Sequence, residues 1–327
     1  FVSKRSERIA GENAIEVFAV LRHDHLTTCP EALDIYRVHH NQAADNVLWL
    51  NVAAKLHGCS NTGVFAAVDA CGNKQGGAIF FAVDNSQRDF YIGVRDRQIR
   101  AQFSATFNRV FPGDPMGTLA DKTAYLISNN FFSIADFYVD MHSGDIHESL
   151  HPYVYYPGQP TPEVEKKSRS VARVLDMEYM VRSLATGGAY NYAASTGLPS
   201  ILIERGGAGL CLHEDIEAYK DDIRNILRKL KMFSLPVKPR HHSPRDVENL
   251  IYLEALETGC WLHHIHSGDF VEEGQVLGRI TDVFGNTLTT YYAEQTGVIL
   301  YVCPALASPK GTILVAYGTL KEFDDEE

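Results

Sequence analysis

From residue 47 to about residue 231, short apolar strands alternate with stretches of helical period, and that alternation constrains the fold more than any other feature of the chain. Strands separated by helices pack as βαβ units, so a largely parallel or mixed sheet flanked by helices is predicted. The strand candidates are 47–53, 78–83, 135–140 and 200–203, most of them followed closely by Gly, Asn, His or Glu. Over 214–233, the residues Ile216, Tyr219, Ile223, Ile226, Leu227, Leu230 and Phe233 share one helical face. Glu214, Asp215 and Glu217 open that helix and Arg228, Lys229 and Lys231 close it, in the sense the helix dipole favours. Pro236, Pro239 and Pro244 then interrupt the chain and mark a boundary near residue 238. Beyond it, strand-like runs such as 278–283 and 297–302 recur between glycine turns, which predicts a small all-β domain. The expected division is therefore an α/β domain over 1–238 and a β domain over 239–327.

Composition excludes several classes of partner. Thirty Lys and Arg stand against 41 Asp and Glu, a net charge of −11 that repels phosphate backbones and anionic lipid surfaces. Neither nucleic acid nor a membrane is the expected partner, and no apolar run approaches the roughly 18 residues of a membrane span. The six cysteines are scattered without a Cys-x-x-Cys pair, which suits reduced thiols in the cytoplasm better than disulfides. With 45% hydrophobic residues, the 327-residue chain has material for at least one large core. A homo-oligomer is compatible with all of this.

Three segments carry residues suited to chemistry. Asp140-Met-His142-Ser-Gly144 sets a histidine at the tip of an apolar strand where the chain must turn, the place where open α/β sheets put ligands and metals. Asn108-Arg109-Val-Phe-Pro-Gly113 lies upstream, and Ile201-Leu-Ile-Glu204-Arg-Gly-Gly207 ends another apolar strand on a lone carboxylate. Glu204 is a candidate general base, with a structural ion pair to Arg205 as the plain alternative. Arg95, Arg97, Arg100 and Arg109 form a basic cluster in an otherwise acidic chain, which points to a small anionic substrate unless they only line a solvated loop.

Taken with His57-Gly58-Cys59-Ser60, these segments resemble, in order and spacing, the motifs of the succinylglutamate desuccinylase/aspartoacylase family of zinc-dependent amidohydrolases. The resemblance runs from residue 57 to about 210 and into the β region after it. It implies a zinc-carboxypeptidase-like α/β domain with a smaller C-terminal all-β domain, and hydrolysis of an amide bond in an N-acyl amino acid or similar small anionic substrate. It further implies Zn2+ held by His57, the residue at position 60 and His142, with Glu204 as the base. Arg97, or Arg100 as the alternate, would polarise the scissile carbonyl, while Asn108 and Arg109 hold the substrate carboxylate.

The departure lies at Ser60, where the family pattern has a glutamate ligand, because serine is a poor neutral zinc ligand. Three readings stay open: Cys59 substitutes as thiolate, two histidines and water hold the metal weakly, or this copy has lost catalysis and binds its ligand only. A metallocarboxypeptidase is the nearest alternative enzyme. The segment 267–278 also looks like the hairpin of biotinyl- and lipoyl-type β domains, but no lysine stands at the exposed turn 282–287, so covering the cleft is the expected role.

Overall fold

The computed structural model describes residues 107–133, 135–144, 147–158, 160–210, 212–232 and 236–321, together with the backbone of four earlier strands. Those four are β1 (Glu16–Leu21), β2 (Asp34–Tyr36), β3 (Thr62–Val68) and β4 (Gly76–Val83). The α/β body continues with β5 (Phe137–His142), β6 (Ser149–Leu150), β7 (Tyr153–Pro157), β8 (Tyr179–Ser183) and β9 (Ser200–Glu204). Then come β10 (Arg245–Glu254), β11 (Gly259–His263), β12 (Phe270–Val271), β13 (Val276–Thr281), β14 (Thr287–Tyr292), β15 (Gly297–Val302), β16 (Ala307–Ser308) and β17 (Ile313–Leu320). The helices among the described residues are α1 (Leu119–Asn130), α2 (Pro162–Ala172), α3 (Ala189–Ser195) and α4 (His213–Lys229).

The large sheet is mixed, in the order β12-β15-β17-β10-β8-β7-β9-β5-β3-β4-β1-β2, with β6 joined to β15. Parallel pairs such as β5 with β9 and β7 with β8 sit beside antiparallel ones such as β7 with β9. A second, antiparallel sheet runs β14-β13-β11-β16. Of the expected strands, 297–302 coincides with β15, and 78–83, 135–140, 200–203 and 278–283 fall on β4, β5, β9 and β13 with shifted ends, whereas 47–53 lies outside the described residues.

Both faces of the central strands are covered, which explains why they read as unbroken apolar runs rather than alternating ones. Phe137, Val139 and Met141 of β5 and Ile201 and Ile203 of β9 pack with Val171 of α2 and with Tyr219, Ile223, Ile226 and Leu227 of α4. Tyr138 and Leu202 point the other way, into a cluster with Ala124 and Ile127 of α1 and Ala189, Tyr190 and Ala193 of α3. Side chains alternate along a strand, so Asp140, His142 and Glu204 share the α1 and α3 side.

Helix α4 buries the predicted face but ends at Lys229 rather than near Phe233, because Lys231 takes a left-handed conformation with φ +61°. A third cluster mixes the two halves of the chain: Tyr153, Tyr179 and Val181 pack with Val247, Val298 and Leu300. No helix among the described residues is long and apolar enough to cross a membrane.

Candidate active site

His57, Ser60, Arg97 and Arg100 lie outside the described residues, while His142, Glu204, Asn108 and Arg109 lie within them. Parallel pairing of β5 with β9 sets His142 in register with Glu204 at the ends of both strands. The imidazole Nδ1 lies 3.5 Å from Glu204 Oε1, and Nε2 lies 3.2 Å from Oδ1 of Asp140, two residues back on the same face. At that distance Nε2 still lacks an aligned hydrogen bond, as does the buried Asp140 Oδ2.

This enclosure sets the charge states. Burial pushes the Glu204 carboxyl up to about 8; His142 opposes that rise, and Glu148 and Asp140 add to it. Burial by itself would lower His142, but Asp140, then Glu204 and Glu148, outweigh it and raise the ring to about 9.

Side chains behind the strands hold this pair in place. The Tyr219 hydroxyl on α4 donates to the carbonyl of His142 and, at 3.1 Å, to that of Ile203, tying both strand ends to one helix. Arg205 turns away from Glu204: its Nε donates to Asp222 Oδ2 at 2.6 Å and its Nη2 to Asp222 Oδ1 at 3.2 Å and to the Asp176 carbonyl at 2.9 Å. The neighbouring guanidinium thus leaves Glu204 un-neutralised. The paired glycines after Arg205 allow a close crossing, since a Cβ on Gly207 would sit 2.3 Å from the Glu148 carbonyl oxygen. That crossing lets Ala208 donate to the same carbonyl at 2.8 Å and brings Glu148 to the site.

The Asn108 segment reaches the same side of the sheet. Asn108 Oδ1 accepts from the backbone N–H of Ala189, the first residue of α3, at 2.5 Å. Gly113, with φ +88°, lies flat against α1, where a Cβ would meet Asp121 O and Tyr125 N at 2.2 Å. Arg109, in the 3-10 turn Phe107–Arg109, is exposed. Burial raises the Tyr252 hydroxyl above the usual phenol value, and the charges of Glu204, Arg109 and Glu148 all act on it as well.

Residues 93–230 match the model of the succinylglutamate desuccinylase/aspartoacylase catalytic domain. Over these residues the chain is similar to that family's catalytic domain. A curated relative, the N-alpha-acetyl-L-2,4-diaminobutyric acid deacetylase of Halomonas elongata, is 25% identical over 206 residues, 59% of this chain and 58% of the relative. The chain thus spans a little over half the length of the curated relative it matches.

Solved structures share the fold. The ectoine utilization protein EutE (DoeB) from Ruegeria pomeroyi, product bound, aligns at TM-score 0.64 and 20% identity over 74% of this chain and 75% of that one. A succinylglutamate desuccinylase from Silicibacter sp. TM1040 aligns at TM-score 0.64 and 18% identity over 94% of both chains.

The desuccinylase/aspartoacylase family implies a zinc ion, and the described part of the site fits one of its ligands. His142 offers a buried imidazole, a ring-nitrogen donor of the kind zinc takes, with Nε2 3.2 Å from Asp140 Oδ1. Among the described residues no group of three or more His, Cys, Asp or Glu could hold a metal alone, and the motif that would supply the rest lies outside them. Sequence reasoning passed over Glu148, Tyr153, Tyr155 and Tyr252, and it read Tyr219 only as part of a buried helix face. Glu148 carries no local signal, and the tyrosines read as ordinary strand residues.

Proposed function

We propose that this protein is a zinc-dependent amidohydrolase that removes the acyl group from an N-acyl amino acid or similar small anionic substrate. The observation that carries the reading is the enclosed His142 and Glu204 pair, in register on adjacent parallel strands with a separation of 3.5 Å. A zinc ion held by His142, with His57 and the residue at position 60, would lower the pKa of a water and polarise the scissile carbonyl. Glu204, raised toward neutrality by burial, suits the base that takes the proton of the attacking water and passes it to the departing amine. Arg97 or Arg100 would act on the carbonyl. Arg109 would hold the substrate carboxylate, with Asn108 supplying its amide N–H while its carbonyl anchors α3.

The matched relative is named for deacetylating N-alpha-acetyl-L-2,4-diaminobutyric acid, so that compound heads the panel to assay. Glu204→Gln should lower turnover about 10²- to 10⁴-fold at unchanged zinc content. Full activity in that variant would place the base elsewhere.

Ser60 favours a second reading, a catalytically impaired protein that binds the same ligand. Zinc analysis of the purified protein separates the two. Near-stoichiometric metal supports the hydrolase, and its absence under zinc-replete conditions supports the binder.

A further inference from the structure

Strand β10 is irregular where it passes the candidate site. Val247 stands opposite Leu320 and Glu248 opposite Thr319, yet the next aligned pair is Ile251 with Tyr317. Asn249 and Leu250 therefore face Gly318 alone, which is a β-bulge. It is a supported one. Asn249 takes φ +50°, its Nδ2 donates to Thr319 Oγ1 at 3.1 Å, and its carbonyl accepts from Gln295 Nε2 at 2.6 Å.

One inserted residue inverts the face on which every later side chain lies. Regular alternation would set Tyr252 opposite Val247, whereas the bulge brings both to the same side. There Val247 packs with Tyr153 and Tyr179, and the Tyr252 hydroxyl meets that of Tyr155 at 3.0 Å. The Tyr155 hydroxyl lies 3.4 Å from that of Tyr153, which is in register with Glu204. Three hydroxyls carry three protons, and the two links between them use two. Tyr153 is buried and Tyr252 is 44% exposed, so a file oriented outward leaves the Tyr252 proton for a group outside the protein. Arg109 is exposed on the same side of the sheet, and a phenol donor together with a guanidinium makes a two-point clamp for a carboxylate.

We propose that Tyr252 contacts substrate, donating a hydrogen bond to its carboxylate beside Arg109, and that Tyr155 is the positioning residue that aims it. The proposal rests on the N-acyl amino acid reading above.

The test is calorimetric titration of N-acetyl-L-2,4-diaminobutyrate, and of a panel of other N-acetyl amino acids, into the Glu204→Gln variant with and without Tyr252→Phe. Loss of one hydrogen bond to a charged group should weaken Kd about 10- to 100-fold. Tyr155→Phe should weaken it less, in the same direction, and the thermal unfolding midpoints should match. N-acetyl-1,3-diaminopropane, which lacks the carboxylate, should bind both Tyr252 forms equally. In the active parent the Tyr252→Phe change should fall on KM and leave kcat nearly unaltered. Equal affinity for the amino acid, or an equal loss for the carboxylate-free amide, overturns the assignment. A parent that binds but does not hydrolyse refutes the enzyme reading and leaves the tyrosine result standing, whereas a parent that binds none of the panel overturns both.

Discussion

Asp222 does more for the site than its distance from the substrate side suggests. It is 2% exposed, and it neutralises Arg205, itself 7% exposed, through two hydrogen bonds immediately after Glu204. Removing one partner of a buried pair leaves the other as an uncompensated charge, at a cost of about 3–5 kcal/mol. Asp222→Ala should therefore destabilise the protein by that amount in urea unfolding. Arg205→Met combined with Asp222→Leu should recover most of it, since well-packed apolar replacements for a buried pair are often near neutral. A single variant as stable as the parent would mean that water already reaches this pair.

Between residues and whole sheets, the connection that leads into β10 is held by one carboxylate. Asp176 Oδ1 accepts the backbone N–H groups of His241 and His242 at 2.9 Å each, and its oxygens meet the two imidazoles at 2.7 and 3.2 Å. Burial alone would raise this carboxyl, but those hydrogen bonds outweigh it and hold it at about 2, below the ordinary 3.8. A depressed carboxylate stabilises the fold above its unfolded value and loses that contribution as pH falls through the folded one. The clamp should thus be fully present above about pH 4 and fade toward pH 2. Asp176→Asn should lower stability at pH 6 by more than at pH 3, as read from paired denaturant titrations. A pH-independent difference would show that the clamp works through neutral hydrogen bonds alone.

At the scale of the molecule, the large sheet continues across residue 238. Arg245 to Val247 of β10 pair in parallel with Tyr179 to Val181 of β8, and the shared cluster draws apolar side chains from both sides of that point. A chain ended at residue 238 would leave β8 as an open edge beside exposed Tyr153, Tyr179 and Val181, the combination that promotes association of strand edges. Such a truncation should aggregate or unfold without a cooperative transition, as followed by light scattering and circular dichroism. A monomeric, cooperatively folding fragment would show that the body needs nothing from β10. The tyrosine proposed to meet the substrate also comes from β10, so the C-terminal region completes the site as well as the sheet.

Local pattern determined much of this protein. Short unbroken apolar runs marked β5 and β9, the 3.6-residue period marked the buried face of α4, and strand-end polar residues singled out His142 and Glu204, because these signals depend only on near neighbours along the chain. Long-range packing decided the remainder. That His142 and Glu204 stand in register, that Arg205 turns to Asp222 rather than to Glu204, and that a bulge swings Tyr252 toward Tyr155 are all absent from any single window of sequence. Strand pairing, buried ion-pair choice and side-chain direction each depend on partners far away in the chain, which only the assembled core brings within reach.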